Sequence, residues 1–300
     1  MTCLNPVSRF VVRICVVAAL CVGVPVGTAK AETVQIVTTD RMSVEVMGEG
    51  PDVILIPGYA SSREVWRPLA EALAPDYRVH LVQLAGFAGE PWSHGEGAFL
   101  RPAVQGLIRY AVALERPAVI GHSMGGLAGL MMTQQQPEVV SKVMSVDSLP
   151  FFGAMQGPQV TAEQVAPVAR QMGAMIKAVD ETMFRQQQLM TASGMMKDEA
   201  GRSAMVDWSM TSDRVALATA IVDVVTTDVR AGLAGMTTPV WAVYASDENG
   251  GTPAALAEAM WQREYAPLPG VRLERVDDSR HFIMFDQPQK MLDLVRAFLD

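Results

Sequence analysis

The order of apolar and polar positions divides the chain into two kinds of segment. Residues 33–39 and 42–47 alternate apolar with polar side chains around Thr39-Asp40-Arg41, which predicts an antiparallel hairpin at a sheet edge. Val53-Ile54-Leu55-Ile56 is apolar without interruption, as suits a parallel strand covered on both faces. The pattern then predicts an amphipathic helix over 64–73, a strand over 79–84, a helix over 98–114, and a strand over 118–120 leading into a helix that ends near 136. A strand over 139–146 follows. Further on, residues 239–244 and 271–276 predict two more strands, separated by a helix over 253–263 and followed by a terminal helix from about 287. Strand and helix in alternation build an open parallel sheet with helices on both faces.

The alternation fails between 150 and 213, where no strand pattern occurs and nine of the chain's 20 methionines lie. A helical insertion is predicted there, leaving 32–149 and 214–300 as the α/β core. Placed after a strand end, such a cap overhangs the carboxyl edge of the sheet, where ligands of these folds bind. Methionine is flexible and polarizable, so the cap is expected to face an apolar ligand, against the plainer reading of core filling.

The first 31 residues read as something other than fold. Arg9 and Arg13 precede an apolar run over 14–26, and Ala29-Lys30-Ala31 offers small residues for cleavage, the pattern of a secretory signal peptide. Roughly 20 apolar residues are needed to span a bilayer, so no stable membrane insertion is expected. All three cysteines, Cys3, Cys15 and Cys21, fall in this segment, which excludes disulfides and thiolate chemistry from a mature chain. A periplasmic or secreted location is expected. Loss of Arg9, Arg13 and Lys30 leaves 21 basic against 32 acidic residues, about −11 in charge, and makes nucleic acid an unsuitable partner.

The candidate chemistry begins at 118–126, Ala-Val-Ile-Gly-His-Ser-Met-Gly-Gly. This is a G-x-S-x-G segment between a strand and a helix, where Gly121 and Gly125 remove the Cβ atoms that would clash as the chain reverses around Ser123. Ser123 would stand at a helix amino terminus, whose free N–H groups favour a developing negative charge. No phosphate loop, dinucleotide glycine fingerprint or metal-spaced histidine cluster occurs, so no cofactor and no metal are expected.

With this motif the chain resembles the α/β-hydrolase superfamily over essentially all of its mature length. Four segments carry the resemblance: Ile56-Pro57-Gly58-Tyr59, the elbow from Gly121 to Gly126, the strand end Ala245-Ser246-Asp247, and 279–288 with His281. The resemblance implies an α/β fold with a mostly parallel eight-stranded sheet, and the chain order nucleophile, acid, base. A serine needs a base within reach to become a nucleophile, and His281, in a loop between the last strand and the last helix, can swing over the sheet edge. His80 lies in an apolar strand and reads as structural, His94 can at best line the pocket, and His122 points away from the serine. The base needs a carboxylate to fix its tautomer. Asp247 stands where the family usually places it, Asp147 is the competing position, and Glu248 a weaker one; Asp277 and Asp278 read as solvated charges.

The backbone N–H groups of Tyr59 and Met124 are expected to form the oxyanion hole, with the Tyr59 ring near the cleft. Pro57 replaces a frequent histidine and no Gly-Gly-Gly run is present, which argues against esters of tertiary alcohols. Haloalkane dehalogenases and epoxide hydrolases are similar but carry aspartate at the elbow. The reading is an exported, cofactor-free serine hydrolase, a carboxylesterase or lactonase acting on a small, largely apolar substrate. Hydrolysis of a carbon–carbon bond or of an amino-terminal peptide bond on the same triad, and a ligand-binding pseudo-hydrolase, are the alternatives.

Overall fold

The computed structural model describes residues 35–300; the expected signal segment lies outside them. The strands are β1 (Gln35–Thr38), β2 (Met42–Met47), β3 (Asp52–Ile56), β4 (Arg78–Leu84), β5 (Ala118–His122), β6 (Lys142–Val146), β7 (Val240–Ser246) and β8 (Arg272–Asp277). They form one sheet in the order β1-β2-β4-β3-β5-β6-β7-β8. β2 pairs antiparallel with both its neighbours, and the pairs from β4 to β8 are parallel.

The uninterrupted apolar strands serve two cores. In β3, Ile54 and Ile56 face one cluster while Val53 and Leu55 face the other, as the period of two requires. The first cluster is covered by α2 (Leu100–Ala111), α3 (Met124–Gln135) and α8 (Ala254–Tyr265). α1 (Arg67–Leu73) and α10 (Pro288–Leu299) cover the second, with the short α9 (Ile283–Asp286) leading into α10.

Two boundaries differ from the periodic pattern for local reasons. The helix expected over 64–73 starts as a 3-10 turn, Arg63–Trp66, capped by Ser62, and α1 begins afresh at Arg67. Pro68 favours this break, because proline has no N–H to donate and fits best in a first helical turn. The strand expected over 139–146 begins at Lys142, since Pro137–Val139 closes a turn on Gln136.

Between β6 and β7 stand four helices, α4 (Ala162–Ala178), α5 (Glu181–Met195), α6 (Glu199–Thr211) and α7 (Arg214–Thr226). Asp213, expected to close the helical stretch, instead opens α7, accepting hydrogen bonds from the amides of Val215 and Ala216. α4 and α7 lie in close contact: a Cβ on Gly173 would stand 2.7 Å from the Ala218 carbonyl oxygen. Arg214 of α7 stacks on Phe184 of α5 and donates to the Ile176 carbonyl at the end of α4, joining three of the helices. The insertion reaches both cores, Leu217 and Val224 in the first, Met196 and Met205 in the second. Its other methionines divide: Met195 and Met210 are half-buried against the core, while Met155, Met172, Met175, Met183 and Met190 are exposed.

Candidate active site

β5 and α3 meet at Ser123, whose backbone is held at φ 53°, ψ −121°. Such a conformation costs an L-residue about 1–3 kcal/mol and persists only where the surroundings impose it. Here the packing does so. A Cβ on Gly121 would lie 2.1 Å from the Gly125 carbonyl oxygen, and one on Gly125 would lie 2.4 Å from that of Ile56. The Ser123 amide donates to the Val146 carbonyl of β6 at 2.9 Å, so the elbow is tied to the next strand. Met124 is the first residue of α3, and the first N–H groups of a helix have no intrahelical acceptor.

Asp147 follows β6 directly and also has positive φ, 43°. Its amide donates to the Val243 carbonyl, and its Oδ1 accepts the Ala245 amide of β7 at 2.9 Å. That leaves Oδ2 for His281, whose Nδ1 lies 2.6 Å away. An ionised carboxylate only accepts, so the proton of this bond belongs to Nδ1, and Nε2 is the free nitrogen of the neutral ring. Among the described residues no hydrogen bond joins Ser123 Oγ to His281, and catalytic bonds of this kind commonly tighten only on substrate binding.

The expectation that Asp247 faces His281 is therefore corrected. Asp247 is 1% exposed and its Oδ2 accepts from Arg280 Nε at 2.9 Å, while Oδ1 accepts the Asn249 amide. The guanidinium holds the Asp247 carboxyl below the usual carboxylate range and occupies the face that a histidine would need. Both aspartates stand at carboxyl ends of adjacent strands, and Arg280, the neighbour of His281, decides which one is free. Glu248 is likewise engaged, accepting the Ala254 amide at the start of α8. Asp277 pairs with Arg275 and Asp278 with Lys197.

The other histidines separate by contact. His80 is buried between Asp52 Oδ1 at 2.8 Å and the Tyr110 hydroxyl at 2.7 Å, at the opposite ends of the strands. Burial holds its ring below the ordinary histidine value, against the opposing pull of Asp52. His94 lies 2.7 Å from the Asp40 carbonyl in the hairpin turn. His122 makes no hydrogen bond to Ser123; its Nε2 lies 3.0 Å from the carbonyl oxygen of His281. Tyr59 sends its hydroxyl to the Leu217 carbonyl of α7 at 3.1 Å, so its ring joins the loop after β3 to the insertion. Burial raises the phenol above its ordinary range.

A network that sequence reading missed fastens the His281 loop to the insertion. Asp286 Oδ2 accepts the Arg280 amide, and its Oδ1 accepts the amides of Lys197 and Asp198. The Phe282 amide donates to the Met195 carbonyl, and Arg280 reaches the Ser193 carbonyl. The links to the insertion join residues more than 80 positions apart, and no local pattern announces them. The hydrogen bonds between the insertion and the Tyr59 and His281 loops thus use the Leu217, Ser193 and Met195 carbonyls and the Lys197 and Asp198 amides rather than methionine side chains.

The Alpha/beta hydrolase family model matches residues 53–294. The chain is 34% identical over 120 residues to a pimeloyl-[acyl-carrier protein] methyl ester esterase of Vibrio atlanticus, covering 40% of this chain and 45% of that protein. A protein of the same name from Yersinia pseudotuberculosis is 30% identical over 200 residues, covering 66% of this chain and 75% of its own length. The first of these alignments spans less than half of the relative. Among solved structures, a hydrolase from Pseudomonas aeruginosa PA01 superposes with a TM-score of 0.72 at 18% identity, covering 91% of this chain and 99% of that one. The enol-lactonase from Burkholderia xenovorans LB400 superposes with a TM-score of 0.69 at 16% identity, covering 86% and 96%. These two share the fold with a chain that belongs to the alpha/beta hydrolase family.

Proposed function

We propose that this protein is a serine hydrolase of carboxylic esters, with Ser123 as nucleophile, His281 as general base and Asp147 as the acid that orients it. The observation that carries the reading is the 2.6 Å bond between Asp147 Oδ2 and His281 Nδ1, formed on the loop beyond a strained elbow serine. With Nδ1 committed to Asp147, Nε2 is left to take the proton of Ser123 Oγ as it attacks the ester carbonyl carbon. The carbonyl oxygen becomes an oxyanion and receives the N–H groups of Tyr59 and Met124. His281 returns the proton to the leaving alcohol, and the acyl chain stays on Ser123. Water then attacks, again losing a proton to Nε2, and the acid departs as Oγ is reprotonated.

Relatives named as methyl ester esterases support the ester class, and a small, largely apolar ester or lactone is the proposed substrate. Helices α4 to α7 are the proposed cap over the site, and residues 1–31 the proposed export signal, removed on the way to the periplasm or medium. Intact-mass measurement on exported protein tests the last point, since a chain still carrying Cys15 contradicts it.

The activity test is a panel of short-chain esters, lactones, amides and β-diketones assayed with wild type and Ser123→Ala. Turnover of esters or lactones that falls at least a thousandfold in the variant is expected, on the scale of losing a triad member. Ester turnover that survives in Ser123→Ala contradicts the reading.

A further inference from the structure

The ring of His122 touches more of the site than any single role on the elbow requires. It ends β5, two residues after Ile120, and shares that strand's second-core face with Trp66 and Phe282. It has no exposed surface. Its centroid lies 4.5 Å from that of His281 and 4.6 Å from that of Phe282. On the other side is the loop after β3: a Cβ on Gly58 would stand 2.9 Å from His122 Nδ1 and 3.1 Å from the Ser123 Cβ. One ring is thus packed among the oxyanion loop, the elbow and the His281 loop.

The polar atoms of this ring are used unequally. Nδ1 is buried and has no hydrogen-bond partner among the described residues, whereas Nε2 is 3.0 Å from the His281 carbonyl oxygen. A carbonyl oxygen only accepts, so Nε2 carries the proton and Nδ1 is a bare lone pair. Leaving a buried nitrogen unpaired is unfavourable, and an apolar side chain of similar size would fill this position without that loss. Among the described residues, the bond to His281 is the one hydrogen bond the ring makes.

We propose that His122 is a positioning residue for His281: its Nε2–H fixes the backbone carbonyl of the base and thereby the ring that must reach Ser123. Asp147 holds the side chain at Nδ1, and His122 holds the main chain of the same residue, so the imidazole is located from two ends. Burial keeps His122 neutral, well below the ordinary histidine value, so no second cation opposes the imidazolium that His281 becomes. A displacement on the order of 1 Å at a reacting group can cost about a hundredfold in rate, which sets the scale of the effect.

The inference rests on the serine-hydrolase reading and is tested separately from it. His122→Gln keeps an N–H donor at the reach of Nε2, and His122→Met keeps the length without the donor. With the turned-over ester as substrate, His122→Met is expected to lose about ten- to a hundredfold in kcat with KM within twofold, and His122→Gln to recover most of that loss. Equal impairment of both variants, or unchanged kcat in His122→Met, overturns the proposal. A measurement on wild type guards against variants that fail to fold. Ring nitrogen NMR of protein labelled in its histidines must place the His122 proton on Nε2 and show its coupling to the His281 carbonyl. A proton on Nδ1 overturns the proposal whatever the activity assays give, while residual activity in Ser123→Ala overturns the underlying reading alone.

Discussion

Arg280 donates through Nε to Asp247 Oδ2 at 2.9 Å, one residue before His281. The pair occupies the strand end that the superfamily usually reserves for the triad acid, and it makes that carboxylate a strut for the His281 loop. Asp147 on the neighbouring strand end is left to His281.

The two aspartates should therefore separate cleanly on substitution. Asp147→Asn is expected to lower kcat by roughly 10⁴ with the fold retained, as loss of the orienting charge does in such triads. Asp247→Asn breaks a charged hydrogen bond, so it is expected to cost about 1.5–3 kcal/mol of stability while kcat stays within about tenfold. Steady-state kinetics and urea denaturation of both variants check this; a dead Asp247→Asn beside an active Asp147→Asn contradicts it.

Tyr59 is proposed to serve the oxyanion hole through its amide, and its hydroxyl donates to the Leu217 carbonyl. Tyr59→Phe keeps the amide and the ring, so kcat is expected to hold within about threefold while stability drops by about 1 kcal/mol for the lost hydrogen bond. A hundredfold loss of kcat in an otherwise folded Tyr59→Phe protein would assign chemistry to the hydroxyl instead.

Stability should depend on pH through two buried histidines. His80 and His122 both lie below the ordinary value of 6.5 in the folded chain, each chiefly because burial disfavours the cation. The unfolded chain then binds protons near pH 6.5 that the native state does not, so this contribution is present above 6.5 and is lost as pH falls. Each can supply a slope of up to about 1.4 kcal/mol per pH unit. Unfolding free energies measured at neutral pH and one unit below 6.5 should show the decline, and a flat or rising trend is the contrary result.

The methionines of the insertion should divide by burial. Met205→Ala removes a side chain packed in the second core and is expected to cost about 2–5 kcal/mol. Met172→Gln, Met175→Gln and Met183→Gln alter exposed positions and should stay within about 0.5 kcal/mol. Thermal unfolding measures both, and an ester chain-length profile that shifts in the exposed variants would place those side chains at the substrate entrance.

The parts of this molecule legible in the sequence are those set by local sterics. Gly121 and Gly125 announce the turn at Ser123 because the backbone of the next segment fills the space a Cβ would need. The buried run at β3 announces itself by having no polar face. The start of α7 was equally local, an aspartate cap at Asp213, but a cap and a terminus look alike when the following helix is apolar nearly all round. The choice between Asp147 and Asp247 was not local at all. Both follow apolar strands, and only the distant Arg280 tells them apart. The same holds for Asp286, which gathers amides from Arg280 and from the turn between α5 and α6.

The central claim is that Ser123 is an activated nucleophile. Treatment with a fluorophosphonate, followed by intact and peptide mass spectrometry, tests it without knowledge of the substrate. Displacement of fluoride should leave one phosphonyl group per chain, on the peptide containing Ser123, with labelling abolished in Ser123→Ala and slowed by orders of magnitude in Asp147→Asn. A folded wild-type protein that takes no label, or takes it at another residue, contradicts the account.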